Sequence, residues 1–495
     1  MIKLKRIKII VLLALTACTH ITSAQKPNVL LIMADDIGLG DIGYYHKVRT
    51  GQAPIIATPN IDALIAEGMR FSDAHSPASL CAPTRFSMLT GNFSYRNTGH
   101  VWGVWNPETE TGIDPSFTTI ARIAKSGGYQ TAFFGKWGLG GVWNGRSSDP
   151  SQYEKMDGGA QSFGFDYALE LPQGIQNAPF AFYENGEWMK LKETSELVQL
   201  TFEQTQYDES ERYKKREGLG DQYWDPSLAG PILTEKVVNY IKNQSGEKPF
   251  FLYYCSQAVH VPHTPAFNLN GVAVSNTTPN KHGDMIKELD VQVGMMVQAL
   301  KAQGLYENTL VVFTSDNGGL SHYNAKGHES SNGYTGSKGS IYEGGHRVPF
   351  IAVWPGKIKP NSSSDVTVVG QDMVATMAAL TESQNLGGQI LDAANLLPLF
   401  NSQSKQHVRT HLLHQSQSKG GPYYALRQGE WKLVMRTEKR EDFDNLEVIG
   451  LYNLNENQEE TNATNLMDMA ENKGRVEQML KKYKELRVGG EATVK

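Results

Sequence analysis

Two short acidic pairs and one cysteine-led run carry the side chains of this chain best suited to chemistry. Asp35 and Asp36, in ADDIGLGD, follow the apolar run Asn28–Ala34. Asp316 and Asn317, in TSDNGG, follow the apolar run Thr309–Ser315. Oxygen-bearing ligands without His or Cys select a hard cation, and the tolerant geometry of a carboxylate site favours Ca2+ over Mg2+. One Asp-Asp pair alone reads as a solvated turn; two pairs, each directly after a buried strand, read as a metal site. Residues 81–91 are CAPTRFSMLTG. On the first turn of a helix, the four-residue spacing from Cys81 to Arg85 returns the guanidinium toward the thiol. Pro83 suits that turn, and a helix N-terminus adds partial positive charge beside a bound anion. Lys136 (GKWGLG) and Lys338 (GSKGSIYEGG) lie in Gly-rich or aromatic runs instead of the polar stretches usual for a solvated lysine, and His260 lies in SQAVHVPH.

These groups need a framework, and the apolar pattern supplies one. Strands are expected at 28–34, 130–137, 249–256, 309–315 and 348–354. Helices are expected at 60–69, behind Thr58-Pro59, and at 117–126, 232–242, 285–300 and near 374–380. Alternating strands and helices predict an α/β fold: a large doubly wound mixed or parallel sheet sandwiched by helices, with ligands at the carboxyl ends of the strands. Both acidic pairs lie at such ends. Residues 141–229 are rich in Gly, Asn, Gln and aromatics with weak periodicity, and are expected to form loops around the mouth of the site. Beyond about 400 the texture changes to short strands at 411–415, 423–427, 430–436 and 451–454, with Gln428-Gly429 as a turn, and a closing helix at 471–486. This predicts a smaller antiparallel α+β subdomain. The expected layout is a leader over 1–24, a main domain over 25–400 and the subdomain over 401–495.

The leader carries Lys3, Lys5, Arg6 and Lys8 with no acidic residue, then an apolar run at 9–17 too short to span a bilayer. It is expected to be an export signal. Two cleavage readings stand: Leu15-Thr16-Ala17-Cys18 resembles a bacterial lipobox that would lipidate Cys18, and Thr22-Ser23-Ala24 before Gln25 suits ordinary signal peptidase. Either takes the protein out of a bacterial cytoplasm, to the periplasm, the outer membrane or the medium, with membrane attachment only through a lipid on Cys18. The formal charge is −5 over 495 residues, and removing the leader makes it more negative, which argues against a general nucleic-acid surface. Of three cysteines, Cys18 belongs to the leader and Cys81 to the motif. Cys255 is left alone in an apolar run, so no disulfide framework is expected.

The run C-x-P-x-R, four residues, Thr-Gly, together with ADDIGLGD, GKWGLG, SQAVHVPH, TSDNGG and GSKGSIYEGG, resembles the formylglycine-dependent (type I) sulfatases of the alkaline-phosphatase-like superfamily, over most of the chain from about residue 26. The resemblance implies that a formylglycine-generating maturation enzyme oxidises Cys81 to an aldehyde. Its hydrate would attack sulfur, and deprotonation of the second hydroxyl would then expel sulfate. It implies a metal cage of Asp35, Asp36, Asp316 and Asn317, completed by the side chain at Cys81, around one Ca2+. Arg85 would hold and polarise the diol. Lys136, His260 and Lys338 would contact sulfate oxygens, the last two on the leaving-group side. Lys338 serves as an acid only if burial and neighbouring cations lower its pKa. Glu343 and Arg347, in YEGGHRVPF, are expected to tie the loop after Lys338 to the next strand, and Gln371-Asp372-Met373 to open a core helix. His263 is left between contacting substrate and lining the loop.

The implied activity is release of sulfate from a sulfated carbohydrate. Two rivals stand beside it: phosphodiester or phosphonate monoester hydrolysis within the same superfamily, and a noncatalytic carbohydrate-binding lipoprotein that keeps an unmodified Cys81. Trp143, Trp188, Tyr207 and Trp224 are available either to stack on sugar rings or to pack. One departure stands out. The family often has GKWHLG, with a His proposed to help expel sulfate, and this chain has Gly138 there.

Overall fold

A computed structural model of the chain describes residues 26–97, 99–103, 109–143, 149–206, 216–383, 389–401, 409–418 and 420–494. Residues 1–25, where the leader and Cys18 are expected, and Tyr207 lie outside the described residues. In chain order the main sheet contains β1 (Asn28–Ala34), β2 (Met69–Phe71), β3 (Gln130–Lys136), β4 (Tyr167–Leu171) and β5 (Phe182–Glu184). It continues with β6 (Glu187–Met189), β7 (Phe250–Cys255), β8 (Thr309–Ser315), β9 (Ile351–Val353) and β10 (Ser362–Ser364). Their order across the ten-stranded sheet is β10-β2-β9-β8-β1-β7-β3-β4-β5-β6. The run from β8 to β4 is parallel, and β9, β2, β5 and β6 extend it with antiparallel pairings.

Every residue of β1 is buried, which explains its near-continuous apolar sequence: a strand covered on both faces admits a polar group only where it is bonded, as Asn28 is to Thr309 Oγ1 and the N–H of Phe250. Leu30, Ile32 and Ala34 face a core shared with α1 (Pro59–Glu67), α4 (Ala229–Lys242) and α5 (Lys281–Ala302). Val29, Leu31 and Met33 face the opposite core with α2 (Cys81–Thr90), α3 (Ile120–Ser126) and α6 (Asp372–Thr381). The period of two along the strand thus sorts its side chains between two helical layers.

A second, four-stranded antiparallel sheet follows, in the order β11 (Leu412–Ser418), β12 (Gly421–Gln428), β13 (Trp431–Arg436), β14 (Glu447–Asn453). α7 (Lys473–Arg487) covers it through Met479, Tyr483 and Leu486, against Leu412, Tyr424, Leu426, Leu433 and Leu451.

Several boundaries differ from expectation for local reasons. The helix expected over 60–69 stops at Glu67, because Gly68 turns extended and Met69 opens β2. The helix expected from 117 begins at Ile120, where the Thr119 side chain caps the N–H of Arg122. The long helix starts at Lys281, four residues earlier than expected, behind an Asn280 cap that accepts from the N–H of Gly283. The largest correction concerns residues 141–229: β4, β5 and β6 lie there and extend the main sheet. Two of these strands have only three residues, too few to show a period.

Glu170, on β4, is a buried carboxyl with one oxygen accepting from the N–H of Ala160 and the other without a hydrogen-bond partner. Burial pushes its pKa up to about 7. The folded state then holds a proton that the unfolded chain releases near pH 4.5, so stability falls as pH rises from there to about 7 and is flat above. Glu170→Gln is expected to remove this loss, on the order of 2 kcal/mol of pH response. Urea unfolding of both proteins at pH 5 and pH 8 checks it, and an equal pH response would contradict it.

Candidate active site

Four adjacent parallel strands end at one level, and each delivers a functional group there. β1 and β8 are in register with Ala34 opposite Ser315, so Asp35-Asp36 and Asp316-Asn317 emerge side by side. The N–H of Asp316 donates to Ala34 O (3.1 Å) and the N–H of Asp36 to Asp316 Oδ1 (3.1 Å). β7, on the other side of β1, runs into the loop carrying His260. That loop is tied back by the N–H of Asp35 to Ala258 O (3.0 Å) and the N–H of Val259 to Asp35 O (2.6 Å). β3, next to β7, ends at Lys136.

The remaining groups arrive from outside the sheet. Cys81 is the first residue of α2, with Pro83 in its first turn and Arg85 one turn on. The thiol lies 3.5 Å from both Asp35 Oδ1 and Asn317 Oδ1. Arg85 donates Nη1–H to Lys136 O (2.6 Å) and Nη2–H to Asp316 Oδ2 (2.7 Å), while its buried Nε–H has no partner. Lys136 Nζ lies 2.6 Å from Asp35 Oδ2 and Lys338 Nζ 2.5 Å from Asp36 Oδ1. His260 donates Nδ1–H to Val261 O (2.7 Å), leaving Nε2 3.8 Å from Asp36 Oδ2. All nine residues singled out from the sequence therefore meet at one place.

The electrostatics follow from that packing. Burial alone would raise Asp35 and Asp36, but the cations around them, Lys136 first for Asp35 and Lys338 first for Asp36, hold both below the usual carboxylate range. Asp316 is pushed up to about 6 by burial and by the charge of Asp35, against Arg85. Burial pushes the Cys81 thiol up to about 12, with Asp316 adding to it, so an unmodified thiol here is a poor nucleophile. Burial, with Lys338 and Lys136, drives His260 down to about 3 and keeps it neutral. Lys338 departs from the requirement placed on an acid. Burial favours its neutral form, but Asp36 outweighs that and holds the proton on. A proton donor at Lys338 therefore needs the charge of Asp36 taken up by another partner.

The residues present fit a hard cation. Asp36 Oδ2 is buried with no hydrogen-bond partner, and the Asn317 amide gives its Nδ2–H to Asp36 Oδ1 (2.8 Å), turning its own oxygen toward Cys81. A buried carboxylate oxygen with nothing to accept from is costly unless a cation meets it.

Other expectations resolve as packing. Trp143 and Trp224 are buried, and Trp188 is half-buried in a cluster with Trp143 and Tyr183, so these rings are not open platforms. His263 is buried with its ring edge-on to Tyr323, at 4.6 Å between centroids, so it lines the loop. Glu343 and Arg347 pair at 2.6 Å. The sequence reading missed Gly174, in the loop after β4. It has φ +71, and a Cβ there would clash with Gln176 Oε1 and sit 3.0 Å from Lys136 Cδ, so glycine suits the loop where it closes over the lysine stem. Weak periodicity in residues 141–229 hid it.

Gly138 has a physical account. Its φ is +70, and a Cβ there would fall 2.9 Å from Arg85 Cδ and 3.4 Å from Arg85 Nε. The guanidinium stem therefore occupies the space beside Gly138 where a side chain would begin.

Comparison with known proteins agrees with this geometry. The sulfatase family model matches residues 27–395, and a model described as the N-sulphoglucosamine sulphohydrolase C-terminal region matches 334–489. The chain is 33% identical over 393 residues to an N-acetylgalactosamine-6-O-sulfatase of Bacteroides thetaiotaomicron, covering 72% of this chain and 73% of the relative. It is 33% identical over 439 residues to human arylsulfatase A, covering 86% and 78%. A structure solved in work on the metabolism of multiple glycosaminoglycans by Bacteroides thetaiotaomicron superposes with a TM-score of 0.78 at 26% identity. The match covers 94% of this chain and all of that one.

Gly138→Ala is expected to strain the left-handed backbone by about 1–2 kcal/mol and displace Arg85. Thermal unfolding should show the loss, and turnover of an aryl sulfate should fall with it. Unchanged stability and rate would mean that Arg85 does not depend on this contact.

Proposed function

The chain belongs to the sulfatase family and is a sulfatase, and from that premise we propose that it removes sulfate from a sulfated carbohydrate outside the cytoplasm, using a formylglycine made from Cys81. The observation that carries this reading is the meeting of Cys81 Sγ with Asp35 and Asn317, inside a ring closed by Arg85, Lys136, His260 and Lys338. Two relatives guide the choice of substrate: the one named for N-acetylgalactosamine 6-O-sulfate and the structure from glycosaminoglycan metabolism. The basic, apolar leader supports export; among the described residues no helix is long and apolar enough to cross a membrane.

Asp35, Asp36, Asp316 and Asn317, with the oxidised side chain at Cys81, would hold Ca2+, which supplies Lewis-acid polarisation while the hydrated aldehyde supplies a hydroxyl nucleophile. The chain's own residues do the rest. Lys136 and Lys338 present ammonium groups to the anionic sulfate, and the N-terminus of α2 adds its partial charge. Neutral His260, with its Nδ1–H committed to Val261 O, offers Nε2 as a proton acceptor. Lys338 is then the group that gives a proton to the leaving oxygen. Arg85 keeps an unpartnered Nε–H beside Gly138, and this donor is placed to stabilise the alkoxide that the family's His would otherwise meet.

The test starts with mass spectra of the tryptic peptide 71–85 from protein made beside a maturation enzyme. A formylglycine at Cys81, with sulfate released from N-acetylgalactosamine 6-sulfate or an aryl sulfate, is the expected outcome. Lys338→Ala should then cost about 10²–10³ in kcat. An intact thiol despite a competent maturase would defeat the reading, and faster turnover of an aryl phosphodiester than of an aryl sulfate would transfer it to phosphoester hydrolysis.

A further inference from the structure

The backbone of Lys338 and Gly339 is pinned at three points. The N–H of Lys338 donates to Gly319 O (3.1 Å), in the loop after Asp316-Asn317. The N–H of Gly339 donates to Ser79 O (2.9 Å), two residues before Cys81. The carbonyl of Gly339 points the other way and accepts from both Ser416 Oγ and Ser418 Oγ, the latter at 2.8 Å. Neither serine belongs to the main sheet. They alternate on β11, the edge strand of the C-terminal sheet, so both side chains leave the same face.

His414 shares that face two residues earlier. Its ring stacks on His346 at 3.6 Å between centroids and 17° between planes. His75, His346 and His414 bring their nitrogens within 4.8 Å of one another, but the stacking argues against a shared metal. A ligating nitrogen offers its lone pair in the ring plane, and two nearly parallel planes cannot both contain one ion. The hydrogen bonds give a different account. Lys432 Nζ donates to His346 Nε2 (3.2 Å), and His346 Nδ1–H to His75 Nδ1 (3.0 Å). His75 Nε2–H donates to Asp73 Oδ1 (2.9 Å). Arg427 Nη1, 3.2 Å from His75 Nε2, serves Asp73 at 2.7 Å instead. Lys432 also meets Glu343 (3.0 Å) and Glu460 (2.7 Å), so the C-terminal sheet is fastened to the segment between Lys338 and β9 by satisfied, buried bonds.

We propose that Ser416 and Ser418 are positioning residues for the reaction: they hold the Gly339 carbonyl and thereby aim Lys338, which makes the C-terminal sheet part of the catalytic apparatus. Their hydroxyls bond to the Gly339 carbonyl and to each other, so they act through the backbone that carries Lys338. A carbonyl has two lone pairs, and here both are used. Losing both hydroxyls takes both protein donors from a part-buried acceptor and frees one of the three pins. The proposal rests on the sulfatase reading for its catalytic meaning, and on these hydrogen bonds alone for the anchoring.

The experiment compares the full-length, matured protein with Ser416→Ala/Ser418→Ala, with Ser418→Ala alone in case the double variant folds poorly, and with Ser416→Thr/Ser418→Thr, which keeps both hydroxyls on a strand that tolerates threonine. Two readouts are taken. The first is kcat and KM on a sugar sulfate, whose alcohol needs protonation to leave, and on 4-nitrophenyl sulfate, whose phenolate does not. The alanine variants are expected to lose roughly tenfold in kcat on the sugar sulfate and much less on the aryl sulfate, with KM little changed and the threonine variant restored. The second readout is hydrogen exchange, in which the amides of Lys338 and Gly339 should exchange faster while those of β1 do not. Equal losses on both substrates would overturn the positioning role, and unchanged exchange at Lys338 and Gly339 would overturn the anchor. If the wild-type protein releases sulfate from neither substrate, the sulfatase reading fails and the exchange result alone decides the anchor.

Discussion

Asp35 is the residue around which the centre is organised. It is fully buried, with Oδ2 2.6 Å from Lys136 and 3.8 Å from Arg85, and Oδ1 3.5 Å from the Cys81 thiol. Its backbone N–H and C=O are both spent on the loop that carries His260. A buried charge survives only with its partners in place, and removing one side of such a pair costs about 3–5 kcal/mol. Three strands and a helix must therefore be correctly seated before Asp35 can be accommodated. Arg85 closes the circle, because its guanidinium answers Asp316 on one strand and the carbonyl of Lys136 on another. The charge balance of the site and the register of the sheet are the same constraint seen from two sides.

Much of this was legible in the sequence because parallel strands buried on both faces write themselves as apolar runs. Thr309–Ser315 was bounded to the residue, and β1 likewise, since each ends where an acid begins. Arg85 was legible because helical spacing is local. Which residues meet across the sheet was not local, yet the ends of adjacent parallel strands leave few alternatives. What stayed hidden depends on tertiary partners. β5 and β6 have too few residues to show a pattern, and Gly138 looked like a missing histidine until the stem of Arg85 was seen beside it. The direction of the Lys338 shift was equally out of reach, since burial and Asp36 oppose each other and only distance decides between them.

The C-terminal sheet shows how little of an interface a strand pattern reveals. His414, Ser416 and Ser418 lie two residues apart, a spacing that in a sequence reads as the wet side of an edge strand. In the fold that side is covered by the segment from Gly339 to His346. The two serines meet a carbonyl that hydrophobic side chains would leave unsatisfied, while His414 meets His346 by ring stacking. The same reasoning explains the matched charges of Lys432, Glu343 and Glu460, all buried and all paired.

The two ends of the main sheet are both three residues long. One, β10, consists of serines alone, and the other, β6, is bordered by the segment Glu154–Met156, whose Glu154 O accepts from the N–H of Trp188 and whose Met156 N–H donates to Gly186 O. A sheet of ten strands with long apolar margins would offer unpaired backbone to any neighbour able to add a strand. Here one margin is polar and too brief to template such growth, and the other is already occupied. The molecule can thus carry an extensive, very apolar interior sheet at high local concentration without its edges inviting self-association into fibrous aggregates.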